Sequence, residues 1–254
     1  SAGYTTLSEA LKRSFNTSFI RLQADLTNTT QDTADMAHAL GMARSLPTVP
    51  ETLRENGGQP YEGIILGQYQ SRPLDMATAL ATLANRGVWH ETHFVERVLY
   101  EHESGEGERR VSEVVADNLL SAMQPIAAYS NGNSLAGGRP SASKTGTAQL
   151  GDTGRNKDAW MIGATPQLAT AVWVGTADNT TAIYNAWGGN MFGSGTPANI
   201  WKASMDGALE GKEIEYFASP GPINFGTGIP AGGTGLSYVP APPAPGVQAR
   251  APAP

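Results

Sequence analysis

The chain of 254 residues has no cysteine. Disulfide frameworks, thiolate metal sites and cysteine nucleophiles are excluded, and the absence fits a cytoplasm or a bacterial extracytoplasmic space equally well. Charge is scarce, at 16% of residues, and leans acidic, with 23 Asp and Glu against 17 Lys and Arg. With a net charge of -6 and no basic stripe, nothing here can displace counterions from a nucleic acid. No apolar run approaches the roughly 18 to 20 residues a membrane-spanning helix needs. The opening "SAGYTTLSEA" has neither an initiating methionine nor a signal-peptide pattern, as expected of a piece of a longer protein, so any membrane anchor is expected outside this chain.

What is present reads first as helices. "TTLSEALKRSFN" opens with a capping box, Thr6 and Glu9, and its period places Leu7, Ala10, Leu11 and Ser14 on one face. The period breaks at Asn16 and restarts in "NTSFIRLQADL", so Ser14-Phe15-Asn16 is expected at an inward-facing junction of two helices. Further helices are predicted at "TTQDTADMAHALGM", at "RPLDMATALATLANRG" with Pro73 in its first turn and Gly87 past its end, and at "SEVVADNLLSAMQ", stopped by Pro125. "FVERVLYE" and "ERRV" read as a hairpin around "HESGEG".

After Arg139 the pattern changes to strands. "PSASKTGTAQ", "DAWMIGAT" and "QLATAVWVGT" are close enough in sequence for an antiparallel meander, and the apolar composition of the last two predicts cover on both faces. A closing helix is expected at "TPANIWKASMDGALEG", capped by Thr196, with Ile200, Trp201, Ser204, Met205, Ala208 and Leu209 on one stripe. The predicted fold class is therefore α/β of the α+β type, a central antiparallel sheet flanked by helices. Residues 1–218 form its body, and 219–254, rich in proline and glycine, are expected to be a tail with a mobile end.

The stretch "SASKTGTAQL" carries two chemical words on one lysine. From Ser141 it spells S-x-x-K, a helical spacing; from Lys144 it spells K-T-G, a strand motif. On a strand, Lys144 and Gly146 point to one side and Thr145 and Thr147 to the other. Gly146 has no side chain to shield the backbone, so an extended ligand can lie along it and pair as an added strand. A Lys-Thr-Gly run alone is a weak signal, because it arises often by chance.

Company sharpens it. S-x-x-K, a serine-x-asparagine element and K-T-G together mark penicillin-binding proteins and class A β-lactamases. Here Ser14-Phe15-Asn16 precedes Lys144-Thr145-Gly146-Thr147, and "TLSEALKRSFNTSFIRL", "LGQYQSRPLDMATALATLANRGV", "ASKTGTAQ" and "KDAWMIGATPQLATAVWVG" resemble the transpeptidase domain of high-molecular-mass penicillin-binding proteins, most nearly the bifunctional class A enzymes. The resemblance runs from Thr5 to about Gly211 and implies the penicillin-binding transpeptidase or serine β-lactamase-like fold, incomplete in this chain. It also implies that the nucleophilic serine sits in an S-x-x-K helix upstream of Ser14, since Ser141 follows that element and lies in strand-like sequence.

The roles the resemblance implies fall on particular residues. Ser14 relays a proton between the catalytic lysine of the upstream segment and the leaving or attacking amine. Asn16 orients that lysine and holds a substrate amide. Lys144 brings positive charge to Ser14 and to the substrate's terminal carboxylate, and Thr145 and Thr147 donate hydroxyl hydrogen bonds to that carboxylate. Gly146 opens the strand, and the Thr147 N–H joins the oxyanion hole. The implied partners are the D-Ala-D-Ala stem peptide of peptidoglycan, β-lactams and the N-terminal part of the same protein, with no nucleic acid and no cofactor.

No metal is expected: in "HETH" the histidines His90 and His93 are three apart, and the zinc-protease motif needs four on a helix. Trp160, Trp173 and Trp201 are expected to pack sheet against helix, and Trp187, in a glycine-rich stretch, is a candidate to line the cleft. Two other readings stay open at this point: a D,D-carboxypeptidase or β-lactamase using water as acceptor, and a non-catalytic module sensing stem peptide or penicillin.

Overall fold

The computed structural model describes residues 5–55, 57–94 and 106–223. At the start, α1 (Leu7–Arg13) and α2 (Asn16–Ala24) meet at the expected junction. Only half of the capping box forms: Thr6 Oγ1 accepts from Glu9 N–H at 3.2 Å, but the Glu9 carboxylate turns to Lys12 and Arg13. α3 (Thr30–Ala39) follows, then a 3-10 turn at Glu62–Leu66, then α4 (Pro73–Ala84) with proline in its first turn as predicted. The Asp75 carboxylate accepts from the Arg72 N–H and guanidinium at the head of α4, satisfying donors the helix leaves free.

Of the expected hairpin, residues 95–105 lie outside the described residues. Beyond them β2 (Glu108–Arg109) pairs antiparallel with β1 (Val88–Trp89). α5 (Glu113–Met123) ends before Pro125 as expected, yet the same proline starts a further turn, α6 (Ile126–Tyr129). Its ring removes an N–H that a first turn does not use, so it both stops one helix and begins another.

β3 (Ala142–Gln149), β4 (Asn156–Ala164) and β5 (Ala169–Gly175) form the predicted meander in the order β3-β4-β5. Ile162 and Ala164 of β4 pack with Leu80, Leu83, Ala116 and Leu120 of α4 and α5. Met161, one residue out of phase, packs with Ala198, Trp201 and Met205 of α7 (Thr196–Ala208). Helices thus cover both faces, with Ile126 of α6 in the first cluster and Ala127 in the second, so α6 straddles the Ala142 end of β3. At about 25 cal/mol per Å² of apolar area, Trp201 and Met205, both fully buried, rank among the large contributors.

One packing expectation is corrected. The buried stripe of α7 is Ala198, Trp201, Met205 and Leu209; Ile200, Ser204 and Ala208, to one side of it, are exposed. β5 is covered on both faces as expected, Ala169 packing with the α4 and α5 cluster and Val172 with that of α7, although at the sheet edge it is only half-buried and Trp173 is exposed.

Candidate active site

Register decides which way each residue of β3 faces. Lys144 stands opposite Ile162 and Gly146 opposite Trp160; Thr145 stands opposite Met161 and Thr147 opposite Ala159. Directly opposed residues share a face. Lys144 therefore projects to the side of α4 and α5, and the two threonines to the side of α7, as the alternation requires. β3 has no second strand partner among the described residues, so its outer edge is open beyond α6.

On the Lys144 side stands the end of α1. Ser14 is its C-cap, with φ 56° and ψ 50°, a left-handed conformation. That turn takes Ser14 off the helical face the leucines were expected to share, and the residue is exposed rather than inward. The physical reason is that the helical period ends at Arg13, so side-chain direction at Ser14 follows the cap. The cap aims the hydroxyl at β3: Lys144 Nζ donates to Ser14 Oγ at 3.0 Å and to the Thr145 carbonyl at 2.8 Å. Burial of the ammonium pushes its pKa below the ordinary lysine value.

Asn16 begins α2, two residues past Ser14, and is exposed; the cap position belongs to Phe15. Ser141 leads into β3 and is buried, and in extended chain residues three apart face opposite ways. Its S-x-x-K spelling therefore has no counterpart in space. Trp187, a candidate for the cleft, is 91% exposed at the tip of a turn in which Asn185 Oδ1 accepts from the Trp187 and Gly189 N–H groups.

Two neighbours of the site escaped sequence reasoning. The Gly193 N–H donates to Thr147 Oγ1 at 3.1 Å, and Asn131 Nδ2 donates to the adjoining Ser194 carbonyl at 2.9 Å. The glycines of "MFGSGTP" signal a loop, but no local pattern says which strand it will touch.

Solved structures with this architecture define the class. PonA1 from Mycobacterium tuberculosis matches with a TM-score of 0.84 and 50% identity, covering 88% of this chain and 61% of that one. PonA1 in complex with penicillin V matches at 0.83 and 48%, covering 96% and 64%. The fold is that of a penicillin-binding protein. Residues 1–206 match the family described as the penicillin binding protein transpeptidase domain, and the chain belongs to that family. Penicillin-binding protein 1A of Mycolicibacterium smegmatis is 54% identical over 240 residues, covering 90% of this chain and 30% of that protein. Penicillin-binding protein 1A of Mycobacterium tuberculosis is 49% identical over 239 residues, covering 90% and 29%. The chain thus spans about 30% of the length of these curated relatives.

Proposed function

We propose that this chain supplies one wall of a D,D-transpeptidase that cross-links peptidoglycan stem peptides by serine acyl transfer on the outer side of the cytoplasmic membrane. In this reading the nucleophilic serine and its lysine come from a segment upstream of Ser1, which also leads to the membrane anchor. The observation that carries it is the 3.0 Å bond from Lys144 to Ser14 beside the open edge of a K-T-G strand. Among the described residues, no other hydroxyl is bonded by the Lys144 ammonium.

The chemistry follows from those groups. The nucleophilic hydroxyl attacks the carbonyl of the D-Ala-D-Ala bond, and its proton passes through Ser14 to the leaving nitrogen as D-alanine departs. Lys144, holding its proton beside Ser14 Oγ, stabilises the hydroxyl as it gains negative character. Thr145 and Thr147 bind the terminal carboxylate, the Thr147 N–H faces the developing oxyanion, and Asn16 orients the upstream lysine and the substrate amide. An incoming amine then reverses the sequence and takes the acyl group. A β-lactam carbonyl enters the same first step, and its leaving nitrogen stays tethered, so the enzyme is held as the acyl form.

The similarity to a structure solved with penicillin V supports β-lactam binding. Fluorescent penicillin is the test: the reading expects no covalent labelling of this chain alone and labelling of the full-length protein, lost when Ser14 or Lys144 is replaced by alanine. A full-length protein that stays unlabelled sinks it.

A further inference from the structure

Thr147 bears a hydroxyl that already has one partner. The Gly193 N–H points into Thr147 Oγ1 at 3.1 Å. A hydroxyl has one proton and two acceptor lone pairs. With one lone pair occupied by Gly193, the proton turns away from the 193 loop, and the residue is exposed. The loop therefore acts on the direction in which Thr147 donates.

Gly193 can reach Thr147 only because it has no side chain. A Cβ at this position would stand 2.3 Å from the Trp160 carbonyl oxygen, 2.5 Å from that of Gly146 and 3.0 Å from the Gly146 nitrogen. All three are backbone atoms of the paired strands β3 and β4, with no freedom to rotate aside. The loop is also tied on both sides of the glycine. The Ala198 N–H, in the first turn of α7, donates to the Gly193 carbonyl at 3.1 Å, and Asn131 holds the Ser194 carbonyl. Asn131 itself stands at φ 57° beyond α6. Helix α7 and the turn after α6 thus clamp a short piece of backbone flat against the Gly146 and Trp160 pair.

We propose that Gly193 is a positioning residue for substrate carboxylate recognition: its N–H occupies the Thr147 hydroxyl oxygen and sets the hydroxyl proton toward the open edge of β3, where the terminal carboxylate binds. The proposal rests on the reading of Thr147 as a carboxylate donor and adds to it a group 46 residues away in sequence that narrows the directions in which that hydroxyl can donate. A free hydroxyl samples several rotor positions; one held by an N–H presents its proton ready, with less ordering left to do when the carboxylate arrives.

Acylation of the full-length protein by benzylpenicillin, which carries the carboxylate, and by its methyl ester, which does not, separates the possibilities. Gly193→Ala and Thr147→Val are each expected to slow acylation by benzylpenicillin on the order of tenfold to a hundredfold, the worth of one hydrogen bond to a charged group, and to slow the ester much less, so that the ratio of the two rates falls. The double variant is expected to be no slower than Thr147→Val alone, because both act through one hydroxyl. Equal slowing of both ligands by Gly193→Ala assigns Gly193 to the fold alone and overturns the proposal. A ratio lowered by Thr147→Val but not by Gly193→Ala overturns it too, with the role of Thr147 intact; a ratio that Thr147→Val leaves unchanged removes both. Should Gly193→Ala not fold, hydrogen exchange at the Gly193 amide decides, comparing the native protein with Thr147→Val, which keeps the side-chain shape and removes the acceptor. Loss of protection at Gly193 is expected, and unchanged protection overturns the proposal.

Discussion

At Ser14 the backbone and the chemistry ask for different residues. Its left-handed φ of 56° is a conformation that costs an L-residue about 1–2 kcal/mol and glycine almost nothing. Ser14→Gly is therefore expected to be more stable than Ser14→Ala by about 1 kcal/mol in urea unfolding, while both variants lose penicillin acylation. A serine kept where glycine would be more stable is what a hydroxyl with a task would require. Lys144 leads to a pH prediction. Burial lowers its pKa, so as pH rises it loses its proton, in the folded protein, before an ordinary lysine would. Below the folded value both folded and unfolded states hold the proton, and the fold bears the cost of the buried charge; between the folded and unfolded values stability rises with pH. Acylation runs the other way, because the protonated lysine is the form bonded to Ser14. Its alkaline limb is expected below the ordinary lysine range and absent in Lys144→Arg, whose guanidinium does not titrate there; a limb unmoved by that substitution would assign it to another group.

Among the elements, α7 depends on a residue far from it in sequence. The Arg139 guanidinium donates to the carbonyls of Leu209, Lys212 and Glu213, at 3.3, 2.6 and 2.8 Å, and to Gln167 Oε1 at 2.6 Å. These are carbonyls at and beyond the helix end that have no intrahelical donor. Arg139→Ala is expected to cost about 2–3 kcal/mol by removing these four bonds, although the Leu209 carbonyl keeps the Lys212 N–H at 3.1 Å, and to leave the acylation rate per folded molecule unchanged; equilibrium unfolding with parallel labelling checks both. Arg139→Lys recovers only part, since one ammonium cannot span the set that a planar fork reaches. Elements of this kind differ in how far the sequence announces them. α4 and α5 were readable because period, proline and caps agree within a dozen residues. The 3-10 turn at Glu62–Leu66, α6, β1 and the pairing of β2 with β1 were not, because each is too brief to carry a period and is held by what it touches.

For the molecule as a whole, long-range ties close the assembly. Thr82 Oγ1 donates to the Leu40 carbonyl at 3.0 Å, joining α4 to α3, and Arg86 reaches the buried Asp117 carboxylate of α5 at 2.9 Å. Asn118 Nδ2 donates to the Gly221 carbonyl at 2.9 Å, and Phe217 packs on the cluster of α4 and α5. The segment read as tail from residue 219 is therefore held to the body at Gly221. Ending the chain after Ile223 is expected to leave the unfolding midpoint unchanged. Ending it after Gly211 removes Phe217 and two carbonyls that Arg139 serves, at a cost of about 2–4 kcal/mol, and the two truncations are distinguished by thermal melts.

The amino-acid order by itself determined where the longer helices lie, though α7 is capped by Gly195 and not by Thr196, together with the three-stranded meander, the alternation along Lys144 to Thr147 and the family, since all of these depend on neighbours within a few residues or on short motifs. Only the tertiary structure decided that Ser14 meets Lys144 across 130 positions, that a left-handed cap and not a helical face aims that hydroxyl, and that Gly193 and Arg139 reach the groups they serve. Local propensity carries information along the chain over one or two turns. Which side chains then come within 3 Å depends on how packed layers set the elements against each other, and that is a property of the folded whole.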